Sequence, residues 1–94
     1  MPLLGKIAVV TGGSGTIGQA IAKKLLSQGA SVVLAGRRVE KLQAAQEKLL
    51  QSYPERNVSY ISSDVSKESS VEEFFAQLDE DYGGLDLLVN NAGK

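Results

Sequence analysis

Eight residues near the amino terminus, Thr11-Gly12-Gly13-Ser14-Gly15-Thr16-Ile17-Gly18, stand between one apolar run and the next. Gly13, Gly15 and Gly18 have the spacing Gly-x-Gly-x-x-Gly. Residues without side chains let backbone amides reach phosphate oxygens, and a helix opening at that point adds the positive end of its dipole. The chemistry indicated is the holding of a pyrophosphate. A tight strand-to-helix turn with no ligand would use the same glycines; the phosphate reading is favoured because the motif follows a strand, opens a helix and falls within a strand-helix-strand unit. A second candidate is Gly36-Arg37-Arg38, where guanidinium forks could pair with phosphate oxygens or simply be solvated charges. Asp64-Val65 and Asn90-Asn91-Ala92-Gly93 follow two further apolar runs. Alone, Asp64 reads as a turn or capping acid and the asparagines as residues of a strand's end.

Residue types that are missing exclude other chemistries. The 94 residues contain no cysteine and no histidine, so there is no disulfide, thiolate zinc site, imidazole ligand or Ser-His pair. Ten Lys and Arg against 11 Asp and Glu give a formal net charge of −1, without the positive field that holds nucleic acid or an anionic membrane surface. No apolar stretch approaches the roughly 20 residues of a membrane span, and Met1 to Lys6 lacks the pattern of a secretory signal. A cytoplasmic protein with residues 1–94 forming one domain is expected, and its partners are small molecules or proteins.

Positioning these residues requires alternating elements. Lys6 to Thr11, Ser31 to Ala35, Asn57 to Ser62 and Leu85 to Asn90 are short apolar runs of strand length. Between them, Ile17, Ala20, Ile21 and Leu25 predict a first helical stripe ending at a left-handed Gly29. Val39, Leu42, Ala45 and Leu49 predict a second, ended by Pro54. Val71, Phe74, Phe75, Leu78 and Tyr82 predict a third, capped at Ser66 and stopped at Gly83-Gly84, with its aromatics read as core. Parallel neighbours need crossovers, so the expected fold is α/β, a doubly wound parallel sheet of four strands in the order 3-2-1-4 with three helices.

The sequence resembles the short-chain dehydrogenase/reductase family along essentially its whole length, through the glycine loop, Gly36-Arg37-Arg38, Asp64-Val65 and above all Asn90-Asn91-Ala92-Gly93. Thr16 stands where the family's common Thr-Gly-x-x-x-Gly-x-Gly has glycine, and Gly15 fits instead the spacing of its longer-chain branch. Asn90-Asn91-Ala92-Gly93 favours the shorter-chain branch. The resemblance implies a Rossmann-type domain, with Gly12, Gly13, Ser14, Gly15, Thr16, Ile17 and Gly18 as the cofactor loop. It also implies that Asp64 and Val65 contact adenine and that Asn91, Ala92 and Gly93 line the wall beside the cofactor ribose; Asn90 is structural.

At the end of the second strand a carboxylate would accept hydrogen bonds from the ribose 2′-hydroxyl of NAD, whereas an arginine can bind a 2′-phosphate. Gly36 replaces the acid and Arg37 follows, with Arg38 to stack or assist. Attraction and the missing repulsion both point to NADP(H) in preference to NAD(H).

The family transfers hydride with a tyrosine, a lysine four residues later and a serine. Tyr53, Tyr60 and Tyr82 are followed at that distance by Asn57, Asp64 and Asp86, so no Tyr-x-x-x-Lys occurs. The expectation is the cofactor-binding part of an NADP(H)-dependent oxidoreductase of alcohols or carbonyls, a truncated chain without catalytic residues. A non-catalytic NADP(H)-binding or protein-interaction module is the alternative. The fourth strand would lie at an open sheet edge, which predicts marginal stability or self-association.

Overall fold

The computed structural model describes residues 2–12, 15–62, 76, 77, 80, 83 and 86–90. Their elements run β1 (Ile7–Thr11), α1 (Thr16–Ser27), β2 (Ser31–Gly36), α2 (Val39–Ser52), β3 (Val58–Ser62) and β4 (Leu87–Asn90). The third helix expected between Ser66 and Tyr82 lies largely outside the described residues, as does its whole apolar stripe.

All strand pairs are parallel, in the order β3-β2-β1-β4. The sheet is therefore the one expected. Strands buried on both faces need no alternation, which is why Ala8, Val9 and Val10 follow one another without a polar residue and all have zero exposure. On one face Val10, Val32, Leu34 and Val58 cluster with Ala22 and Leu26 of α1 and with Leu42, Ala45 and Leu49 of α2. On the other, Val9, Val33, Ala35 and Ile61 form a second buried cluster. At β4 exposure rises: Leu87 is 37% and Leu88 49% exposed.

The buried side of α1 differs from the expected stripe. Gly18, Ala22 and Leu26 face inward, with Ile21 and Leu25 beside them, while Ile17 is 67% exposed and Ala20 is exposed. At 3.6 residues per turn, Ile17 is turned about 100° away from Gly18. Small side chains at 18 and 22 let the helix axis approach the sheet, and that closeness rather than residue size selects the inward face. For α2 the expected Leu42, Ala45 and Leu49 are buried, whereas Val39 in the first turn is exposed.

Gly29 ends α1 as its position suggested, with φ of 99°. Its amide donates to the Leu26 carbonyl oxygen at 3.0 Å, and that of Ala30 to Leu25 at 3.2 Å. These two bonds make a Schellman motif, which satisfies carbonyls the helix would otherwise leave open and turns the chain directly into β2. Across the sheet, β1 and β4 are joined at their starts by Asp86. Its carboxylate accepts the Ile7 amide at 2.8 Å, and its own amide donates to the Ile7 carbonyl oxygen at 2.8 Å.

Candidate dinucleotide site at the carboxyl ends of the strands

Register fixes where the functional segments meet. Thr11 is level with Ala35 and with Asn90, and Gly36 is level with Ser62. The carboxyl ends of β1, β2, β3 and β4 therefore share one rim, and the segments predicted to bind a cofactor leave from that rim. From β1 the chain winds through β2 and β3 on one side and returns to β4 on the other. In open parallel sheets ligands occupy the crevice at such a reversal, outside the strands' carboxyl ends.

At the end of β1, Gly12 has φ of 66°, a left-handed conformation that disfavours any side chain, and its amide donates to the Ala35 carbonyl oxygen at 2.9 Å. The turn continues to Gly15, whose amide donates to the Gly12 carbonyl oxygen at 3.2 Å. Gly15 is the N-cap of α1, with extended backbone at φ −79° and ψ 168°, and as a glycine it brings no capping side chain of its own. The first turn carries no acid. The opening of α1 thus presents amide donors and a positive dipole end with no acid in its own first turn. Gly15, Thr16 and Ile17 are exposed, whereas Gly18 is buried on the inward side of the helix.

The glycine at 15 is not required by the fold. Its dihedrals are open to any residue, and a Cβ there would lie 3.6 Å from the Gly12 carbonyl oxygen, an ordinary contact. A bare backbone at this point leaves space outward, where a phosphate would approach the helix end.

At the end of β2, Gly36 is half-buried and Arg37 and Arg38 are exposed. Arg38 is the N-cap of α2, and its carbonyl oxygen accepts the Leu42 amide at 3.1 Å. The Arg37 carbonyl oxygen accepts the hydroxyl of Ser62 at 3.2 Å. Their backbones are held while both guanidinium groups stand at the surface. Thr11, buried at the end of β1, donates its hydroxyl to the Val89 carbonyl oxygen at 3.2 Å and closes the seam toward β4.

Gly12, Gly15, Thr16, Ile17, Gly18, Arg37 and Arg38 thus lie along one rim. Gly13, Ser14, Asp64, Val65, Asn91, Ala92 and Gly93 lie outside the described residues. Sequence reasoning gave no role to Ser62 or to the side chain of Thr11. A hydroxyl residue closing β1 and another closing β3, the two strands that flank β2, was the available signal. Among the described residues no three His, Cys, Asp or Glu side chains gather to hold a metal, and no helix is long and apolar enough to cross a membrane.

A doubly wound sheet with a glycine-built turn at its reversal defines a class of dinucleotide-binding folds. Residues 6–94 match the short chain dehydrogenase family, and the chain belongs to it. An uncharacterized oxidoreductase of Staphylococcus aureus strain MRSA252 is 44% identical over 92 residues, which cover 98% of this chain and 38% of that protein. L-sorbose reductase from Gluconobacter frateurii, solved in complex with NADPH and L-sorbose, superposes with a TM-score of 0.90 at 36% identity, over 100% of this chain and 36% of its own. A metagenomic short-chain oxidoreductase in complex with NADP gives 0.91 at 40% identity, over 100% of this chain and 42% of its own. The chain spans about 38% of the curated relative's length, and what it matches is the amino-terminal, cofactor-binding region of the family.

Proposed function

We propose that residues 1–94 form the NADP(H)-binding portion of a short-chain oxidoreductase that acts on an alcohol or carbonyl. The observation that carries the reading is the end of β2: an exposed Arg37 follows Gly36, where an acid would bind the NAD ribose. The two solved relatives described above hold NADPH or NADP, which supports the same cofactor here. The rim fits such a group, since the acid-free first turn of α1 and the unneeded glycine at 15 make room for a pyrophosphate.

In this reading Gly12, Gly13, Ser14, Gly15, Thr16, Ile17 and Gly18 hold the pyrophosphate, largely through backbone amides. Arg37 pairs with the 2′-phosphate and Arg38 stacks or assists. Asp64 accepts from the adenine amino group while the Val65 amide donates to a ring nitrogen. Asn91, Ala92 and Gly93 wall the ribose. When bound, the nicotinamide supplies hydride exchange with a carbon that also bears oxygen. The contribution of these residues is to bind and orient, because no Tyr-x-x-x-Lys is present among the 94.

Titration with NADPH and NADH tests the assignment. Arg37→Gln should weaken NADPH by about tenfold or more, as loss of a charge-assisted pair does, and leave NADH nearly unchanged. Equal loss for both cofactors would overturn the 2′-phosphate role. Absence of saturable binding in the unsubstituted chain would favour an interaction module instead.

A further inference from the structure

Position 36 is where a carboxylate would have to stand to receive the ribose hydroxyls of NAD, and the residue there is glycine. Backbone conformation does not demand it. Gly36 is the last residue of β2, and among the described residues the glycines with positive φ are Gly5, Gly12, Gly29 and Gly83. Space is the constraint. A Cβ built on Gly36 would lie 3.3 Å from Cδ2 of Leu42, 3.8 Å from its Cγ and 3.9 Å from its Cδ1. The first of these is tighter than nine in ten real Cβ contacts, so Leu42 would have to give by a few tenths of an ångström.

Leu42 is poorly placed to move. It has zero exposure and belongs to the cluster that includes Val10, Leu34 and Ala45, so its methyl groups can shift only by displacing packed neighbours. Its amide is tied to the Arg38 carbonyl oxygen at 3.1 Å, in the opening turn of α2. The same short segment therefore carries the arginine pair and the leucine that blocks the preceding position.

We infer that Leu42 is a specificity-determining residue: by packing against Gly36 it keeps the ribose-binding carboxylate out of the end of β2 and commits the site to Arg37 and a 2′-phosphate. This inference rests on the NADP(H) reading above. It makes cofactor choice depend on a core residue that touches no cofactor atom. Leu42 is a positioning residue, acting through position 36.

The test uses the whole protein that carries these residues, titrated with NADPH and NADH, with thermal midpoints recorded for every variant. Gly36→Asp alone should weaken NADPH by about tenfold or more, because like charges meet, yet gain little for NADH. Adding Leu42→Val should then tighten NADH by about fivefold or more relative to Gly36→Asp alone. A core leucine with a purely structural role would not move that ratio.

Gly36→Ala isolates the steric part without a charge. It should lower the midpoint markedly beside Leu42 and much less beside Val at 42. The inference is overturned if Gly36→Asp alone binds NADH as well as the double variant, or if Gly36→Ala costs the same in both backgrounds. A wild-type protein that does not prefer NADPH overturns the NADP(H) reading and this inference together. A wild type that prefers NADPH, but is switched by Gly36→Asp unaided, overturns this inference alone.

Discussion

The hydroxyl of Thr11 donates to the carbonyl oxygen of Val89 at 3.2 Å, joining two neighbouring strand ends whose residues are 78 apart in sequence. The bond lies at the rim, on the seam between β1 and β4 where the candidate site opens. At the other end of the same seam Asp86 bonds twice to Ile7. Side chains thus reinforce the pairing of β1 with β4 at both ends.

Thr11→Val keeps the shape of the side chain and removes its donor. It should cost about 1 kcal/mol, the net worth of a hydrogen bond, and lower the midpoint of a domain this size by about 4–8 °C. Differential scanning calorimetry measures it; an unchanged midpoint would show that the seam does not depend on this bond.

Two glycines of one turn should respond in opposite ways. Gly12→Ala forces a side chain into φ of 66°, at about 1–2 kcal/mol, and should lower the thermal midpoint. Gly15→Ala meets only an ordinary contact at 3.6 Å and should leave the midpoint nearly unchanged. It should nevertheless weaken NADPH and NADH alike, because both carry the pyrophosphate. Intact binding by a stable Gly15→Ala protein would place the phosphate elsewhere.

The inward face of α1 can be checked by paired truncation. Leu26 has zero exposure, so Leu26→Ala should cost about 2–5 kcal/mol. Ile17→Ala, at a position 67% exposed, should change stability by no more than about 0.5 kcal/mol. Urea denaturation of both variants reads the difference, and similar losses would contradict the orientation of the helix.

Leu88 projects from the terminal strand of the sheet and is 49% exposed. Exposed apolar side chains on an unpaired strand edge favour association. Sedimentation velocity of the 94-residue chain should show a mass that rises with concentration, and Leu88→Lys should reduce it. A monomer at all concentrations would contradict the expectation.

Much of the architecture was legible because parallel strands announce themselves as uninterrupted apolar runs. Ala8 to Val10 and Val32 to Ala35 are buried throughout, and the sheet order follows from the alternation of strands and helices. Leu42, Ala45 and Leu49 were legible as a stripe, and Gly29 as a cap, because both signals are local. Ile17 misled for a physical reason: periodicity weighs residues by size, while the close approach of α1 is set by the small Gly18 and Ala22. The bonds from Asp86 to Ile7, Thr11 to Val89 and Ser62 to Arg37 join residues distant in sequence, so no local pattern carries them. The glycine turn and the arginines were legible as candidate chemistry. That Leu42 packs closely over Gly36 needed coordinates, since the two residues are brought together only by the docking of α2 on the sheet.

The strand order also separates the molecule in time. β1, β2 and β3 come from one continuous stretch, and each pairs with the next across a single crossover helix. β4 must instead find β1 from 79 residues away at the Ile7 to Asp86 bond. Closing long loops before their contacts are rewarded slows folding, so the β1–β4 pairing is the step expected last. The crevice that would receive a dinucleotide opens between those two strands. The rim proposed for a dinucleotide is therefore assembled only once β4 has paired with β1, and a ligand seated there would favour chains in which that pairing has formed.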